Sequence, residues 1–153
     1  MSEIAVAILL SLSPISELRG GIIYAIASGI NPLVSFFVCV MANMLISPAL
    51  FFFLSTLHLS LYKMKTYQML FDRHIKSLDR KVRAYEKRHK VWGYLALTFF
   101  VAVPLPFTGA WTGSFIAWIL GLNRKKSIFA ISVGVIIAGI IITALVLSGI
   151  ALL

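Results

Sequence analysis

Two opposite charges, Glu17 and Arg19, lie in the middle of an apolar stretch that covers residues 4–30. Nearly all the other charged residues lie in two basic segments, 63–90 and 124–126. A charge at the centre of a bilayer costs roughly 2.5–3.5 kcal/mol on insertion scales. A chain that keeps two such charges inside one apolar stretch is therefore expected to use them.

The two side chains have complementary chemistry. Glu17 can bind and release a proton or a cation, and the guanidinium fork of Arg19 suits phosphate or carboxylate. Residues two apart diverge on a helix but share one side of an extended segment. Pro14 before the pair and Gly20 and Gly21 after it favour an extended or irregular form. The structural alternative is that the two charges neutralise each other, or bond loose backbone, and so hold a local turn.

A second polar interruption, at residues 104–113, carries no charge. Its prolines remove helix donors, and bare backbone amides at the start of a half-helix can receive an anion. Trp111 is expected either to contribute to binding at this break or to pack against its surroundings. Asn43 is expected to form a hydrogen bond across helices, with ligand contact as the alternative. The predicted substrate- or ion-binding residues are Glu17, Arg19, Ser16, Thr108, Trp111 and Asn43. The residues predicted to shape the two breaks are Pro14, Gly20, Gly21, Pro104, Pro106, Gly109 and Gly113.

Composition identifies the class of protein. Of 153 residues, 60% are hydrophobic and 12% are charged, which is typical of an integral membrane protein. The net charge of +9 is concentrated in residues 63–90, which favours a cytoplasmic face beside anionic headgroups over nucleic-acid binding. The single Cys39 excludes a disulfide framework. No metal-ligand spacing, cofactor motif or nucleophile–base pair is present, so we expect neither a metal, nor a cofactor, nor an enzyme.

Four apolar stretches follow one another along the chain, at residues 4–30, 33–61, 91–122 and 127–153. The second and fourth are long enough to cross a bilayer, since about 20 residues suffice. The first and third are each broken near the centre. Non-helical backbone at membrane depth persists only where protein or a wet cavity surrounds it. The two broken stretches are therefore predicted to be re-entrant helical hairpins. The N-terminus lacks a basic region typical of a cleaved signal peptide, so the first stretch is expected to be retained.

The two halves of the chain correspond at an offset of 90 residues, which places Pro14 on Pro104. If the first and third stretches are re-entrant, both basic segments lie on the cytoplasmic side, as the positive-inside rule requires, and both termini lie outside. We therefore predict an all-α fold with two inverted halves, as in many transporters. The predicted single membrane domain, residues 1–153, comprises a hairpin at 1–30, a transmembrane helix at 31–61, a basic cytoplasmic amphipathic helix at 62–90, a second hairpin at 91–122 and a transmembrane helix at 123–153.

Two motifs carry a family resemblance. They are Pro14-Ile15-Ser16-Glu17-Leu18-Arg19-Gly20-Gly21 and Pro104-Leu105-Pro106-Phe107-Thr108-Gly109-Ala110-Trp111-Thr112-Gly113. Together they resemble the prokaryotic small multidrug export protein family, which in turn resembles the DedA-like superfamily (VTT/SNARE-associated) with two facing re-entrant loops. That resemblance implies proton-coupled transport or lipid translocation, with an acidic residue in the first loop, which Glu17 matches. It also implies an arginine near the second loop, which this chain lacks, so either Arg19 replaces it or the substrate differs.

The predicted function is that of a DedA-like secondary transporter or lipid flippase in the inner (cytoplasmic) cell membrane, coupled to a proton or cation. One alternative is a small drug or cation exporter that acts as a dimer, and another is a passive lipid scramblase or membrane scaffold. The expected partners are membrane lipids, an anionic lipid or small-molecule substrate, a proton or cation, and a second copy of the chain. Four short stretches enclose little volume, so a two-fold dimer is the simplest assembly.

Overall fold

The computed structural model describes residues 2–61, 92–105 and 108–149. Within these ranges the only regular elements are α-helices, which confirms the predicted all-α class. The helices are α1 Glu3–Leu12, α2 Glu17–Ala27, α3 Pro32–Met44, α4 Ile46–Leu61, α5 Trp92–Ala102, α6 Ala110–Ile119 and α7 Arg124–Leu147. The predicted basic amphipathic helix at 62–90 lies outside the described residues, as does Pro106.

Two runs of helix are long and apolar enough to cross a membrane by length and composition. One is Pro32–Leu57, in which α3 and α4 follow each other for 26 residues, and the other is α7, with 24 residues. The first run is interrupted at Leu45, between the two helices. Pro48 has no N–H for the carbonyl of Met44 four residues earlier, and its ring crowds that carbonyl. Both runs lie in the stretches that were predicted to be long enough to cross a bilayer.

The first break is shorter than predicted. Helix α1 ends at Leu12 and α2 begins at Glu17, so only residues 13–16 are non-helical. The expectation of an extended Glu17–Arg19 segment was wrong, because both residues lie in the first turn of α2. The glycines that follow serve helix contact instead of the turn: a β-carbon at Gly21 would overlap the Ser11 hydroxyl of α1.

The second break is also shorter than the 104–113 segment suggested. Helix α5 ends at Ala102, and α6 begins at Ala110 with Gly109 as its N-cap residue. Gly113 is thus helical, and a β-carbon there would lie 2.7 Å from a methyl group of Val101 on α5. Small residues therefore allow close approach between the helices on either side of the break.

The two halves of the chain pack against each other, because helices of the first half contact helices of the second half. Helix α2 packs against α7, while α6 packs against both α4 and α7. Helix α3 also contacts α7, where a β-carbon at Gly139 would lie 2.7 Å from Val40. Buried apolar side chains fill the centre of this arrangement, among them Ile22, Val101 and Ile131. The packing of the two halves brings the break after α1 next to the break after α5.

Candidate functional site

The two breaks meet around a small cavity. Its volume is about 20 Å³, which is room for roughly one water-sized group. Glu17 and Arg19 line it from the first turn of α2, next to the first break, and Thr108 and Gly109 line it from the second break. Asn43 of α3 completes the polar part of the wall. Residues about 90 positions apart in the chain therefore share one site between the two halves.

Glu17 is the residue that joins the two breaks. It is only 7% exposed, and its φ of 49° lies in the left-handed region, which costs a non-glycine residue about 1 kcal/mol. Its carboxylate lies against Gly109, where a β-carbon would overlap it, and close to the main-chain N–H of Trp111. Gly109 is the N-cap of α6 and has no side chain to cap the helix. Glu17 therefore caps α6 from another part of the chain, at the end where a negative charge is stabilised.

One oxygen of this carboxylate has no partner. Among the described residues, nothing donates a hydrogen bond to Glu17 Oε1, although the atom is buried. Buried polar atoms are nearly always satisfied, so an exception calls for an explanation. An acceptor of this kind, on a side chain that lines a water-sized cavity, can take a proton, a cation or a donated hydrogen bond.

Arg19 contacts the second break at its other side, next to the C-terminal end of α5. Its Nη1 donates to the main-chain oxygen of Pro104 at 3.2 Å, just beyond the last residue of α5. The C-terminal end of a helix carries a partial negative charge, which a guanidinium stabilises. Each charge thus contacts main-chain groups near a helix end, as the structural alternative for the charge pair predicted. Because both side chains also line the cavity, their functional role stays a prediction.

Three other predicted site residues bond the free end of α1. The last carbonyls of a helix have no partner within it and need donors from elsewhere. The donors here are Ser16 Oγ to Leu10 O at 2.8 Å, Asn43 Nδ2 to Ser11 O at 2.8 Å and Trp111 Nε1 to Leu12 O at 3.0 Å. The hydrogen bond across helices that was predicted for Asn43 is therefore present. These bonds explain how non-helical backbone is accommodated in an apolar setting.

Thr108 holds the second break together. Its hydroxyl donates to the main-chain oxygen of Val103 at 2.6 Å and accepts from the N–H of Leu105 at 3.1 Å. The Thr108 side chain thus links the end of the second break to residues at its start. Thr108 also lines the cavity with Glu17, so the structure brings these two predicted residues to one place.

Comparison with known proteins identifies the family. Residues 17–141 match the family described as "Putative small multi-drug export protein". The chain belongs to this family. No curated protein and no solved structure matches the chain. The match begins at Glu17 and includes the whole second break, so the small multidrug export resemblance is confirmed, and the protein is a helical membrane protein. The link from this family to the DedA-like superfamily stays a prediction.

Sequence reasoning missed one polar contact of this export-family protein. The hydroxyls of Ser47 on α4 and Ser114 on α6 lie 2.5 Å apart, and both side chains are fully buried. The available signal was a serine in each of two apolar stretches. Such a pair joins two helices that meet in an apolar setting, as polar side chains do in membrane proteins.

The same family member offers no metal site in the part that the structure describes. Within residues 2–61, 92–105 and 108–149, no three His, Cys, Asp or Glu side chains converge on one position. Of the described residues that line the cavity, Glu17 is the only acidic one. A single carboxylate in a small cavity is suited to a proton or a monovalent cation.

Proposed function

We propose that this protein is a membrane exporter in which Glu17 couples transport to a proton or a cation. The observation that carries this proposal is a 7% exposed carboxylate whose Oε1 has no partner among the described residues, placed in a cavity between two helix breaks. An ionisable residue at membrane depth is expensive and is a functional site by default. Membership of a family described as exporters supports transport as the activity.

The proposed architecture is an inverted repeat of two re-entrant hairpins. Helices α1 and α2 would form the first hairpin and α5 and α6 the second, entering from opposite sides. In support, the second helix of each broken stretch packs against the spanning helix of the other half. The positive-inside rule then places the basic segments 62–90 and 124–126 in the cytoplasm and both termini outside the inner membrane. A two-fold dimer remains part of this proposal.

The proposed coupling step acts on the contact between the breaks. Ionised Glu17 lies against the N-cap of α6 and offsets the positive end of that helix. Protonation removes that charge, so the cap weakens and the second break can separate from the first. Arg19 keeps its bond to Pro104 in either state. A proton would thereby shift the population between a closed and an open arrangement of the same site.

A drug or cation exporter that binds its cargo directly on Glu17 is the second candidate. The observation that favours it is Glu17 Oε1, which has no hydrogen-bond partner among the described residues, whereas the positive charge of Arg19 nearby acts against it. A DedA-like lipid flippase and a passive scramblase are further alternatives that the same experiment separates.

The test is transport by purified protein in liposomes with an imposed pH gradient. Glu17→Gln keeps the size of the side chain but removes the titratable charge. We expect it to reduce gradient-driven ethidium efflux to the level of protein-free liposomes. Glu3→Gln is the matched control, because Glu3 is an exposed acid bonded to Tyr24.

Two outcomes would contradict the proposal. One is ethidium efflux by Glu17→Gln equal to that of the unmodified protein across the pH range. The other is rapid exchange of fluorescent phosphatidylcholine between leaflets that is independent of pH and of Glu17, which would indicate a scramblase. Equal elution volume and unfolding midpoint of the variants ensure that a loss of efflux is not a loss of fold.

A further inference from the structure

A second and much larger cavity lies beside Trp111. It is a groove of about 430 Å³ between α1, α4 and α6, lined by Leu12, Ala49, Leu50 and Phe53 as well as Trp111. This volume is within the range of small-molecule sites, about 300–1,000 Å³. Every lining side chain is apolar, with the indole N–H of Trp111 as the one polar group. Such a groove suits hydrocarbon and repels a free anion or cation.

The groove faces the surface that meets lipid if the chain spans the membrane as proposed. It is bordered by Leu45, which is 62% exposed, and by Phe53, which is 59% exposed. Both residues belong to the apolar run Pro32–Leu57, which is long enough to cross a bilayer. A molecule dissolved in the bilayer can therefore reach the groove without passing through water.

Trp111 lines this groove and lies next to Ala110, which lines the Glu17 cavity. Its indole Nε1 donates to the carbonyl of Leu12, another residue of the groove wall, at 3.0 Å. The main-chain N–H of the same residue lies close to the Glu17 carboxylate. Trp111 is thus bonded to the groove wall through its side chain and lies near the buried carboxylate through its backbone.

The volumes of the Glu17 cavity and of the groove determine which of them can hold cargo. The Glu17 cavity, at about 20 Å³, holds a group the size of one water, whereas the groove holds about 430 Å³. An organic molecule cannot enter the first without rearrangement, but it fits the second. We propose that the groove binds the hydrocarbon body of an amphiphile dissolved in the bilayer, and that Trp111 is the gate it displaces to reach Glu17. Binding in the groove does not depend on the proposed exporter function, whereas the role of Trp111 as a gate rests on it.

Photolabelling in liposomes tests the groove. The probe is a dodecylammonium amphiphile with a diazirine in mid-chain, and labelled positions are mapped by mass spectrometry. We expect saturable labelling at Ala49, Leu50 and Phe53, displaced by unlabelled dodecylammonium. Ala49→Phe fills the groove and should weaken half-saturation about tenfold, the loss expected when roughly two methylene groups are kept out. Ala144→Phe is the matched control, since Ala144 is an exposed residue of α7 outside the groove.

A second variant tests the gate. Trp111→Phe keeps an aromatic ring but removes the N–H that bonds Leu12. We expect it to retain groove labelling and to add labelling at Leu18, which lines the Glu17 cavity. An unchanged labelling pattern in Trp111→Phe would overturn the role of Trp111.

Three further results would overturn the groove as a cargo site. Labelling that rises linearly with probe and spreads evenly over α4 and α7 would mean simple partitioning. A diazirine-labelled phosphatidylcholine that occupies the groove and resists dodecylammonium would mean a resident lipid. A disulfide between Ala49→Cys copies would mean that a second chain covers it. Glu17→Gln separates the two proposals, because it should keep groove labelling while losing pH-driven efflux.

Discussion

Replacing Gly109 by alanine perturbs the contact that joins the two breaks without touching a charge. The backbone of Gly109 is extended, with φ of −133° and ψ of −162°, so alanine can adopt it without strain. The added β-carbon would, however, overlap the carboxylate of Glu17. The variant must therefore move Glu17 away from the start of α6 or shift α6 itself.

The expected cost follows from what that movement breaks. Loss of the contact between the Glu17 carboxylate and the positive end of α6 costs up to about 2 kcal/mol, and crowding a packed site adds about 1–3 kcal/mol. The smaller conformational entropy of alanine in the unfolded chain returns about 0.4–1 kcal/mol. We therefore expect Gly109→Ala to lower the free energy of unfolding by about 3 kcal/mol.

The measurement is reversible unfolding in mixed micelles, with Gly93→Ala as the control. A β-carbon at Gly93 meets nothing within 4 Å in helix α5, so this variant should be stabilised by about 0.5–1 kcal/mol. The specific test is a double-mutant cycle, because Glu17→Ala removes the group with which the β-carbon collides. In that background Gly109→Ala should lose most of its cost, a coupling on the order of 1–3 kcal/mol.

Either of two results would refute this reasoning. If Gly109→Ala and Gly93→Ala unfold at the same midpoint, the carboxylate does not lie against residue 109. If Gly109→Ala costs the same with and without the Glu17 carboxylate, its effect comes from another neighbour, and Glu17 is not the cap of α6.

Two further predictions concern polar contacts within the apolar core. Asn43→Leu removes the donor to the buried carbonyl of Ser11 and should lower the free energy of unfolding by about 1–3 kcal/mol; an unchanged midpoint would contradict the need for that donor. Ser47→Ala and Ser114→Ala each leave the other hydroxyl without its partner, so a double-mutant cycle should give a coupling of about 0.6 kcal/mol, the average for such contacts in membranes. Additivity of the two changes would show that the pair contributes nothing.

Sequence patterns predicted the framework of the fold because hydropathy and proline act locally. A spanning helix needs about 20 apolar residues, and the structure has such runs at Pro32–Leu57 and Arg124–Leu147. A proline in the interior of a helix interrupts it, so Pro14 and Pro104 marked both breaks.

The lengths of the breaks could not be predicted in this way. A glycine after a proline fits either a turn or a close helix contact, and the sequence alone does not distinguish them. Gly21 and Gly113 are helical because Ser11 and Val101 approach from neighbouring helices. The partners of the charges were equally hidden, since Arg19 bonds a carbonyl 85 residues away and Glu17 lies against the N-cap residue of another helix.

The absence of charge in the second break follows from these partners. Its two helix ends already carry partial charges, positive at the start of α6 and negative at the end of α5. Glu17 faces the first end and Arg19 bonds next to the second. A positive side chain in this break would therefore be repelled by the positive start of α6, and a negative side chain by the negative end of α5. Each charge next to the first break thus lies beside a helix end, and Glu17 Oε1, which has no partner among the described residues, is what this balance leaves for a proton or a cation.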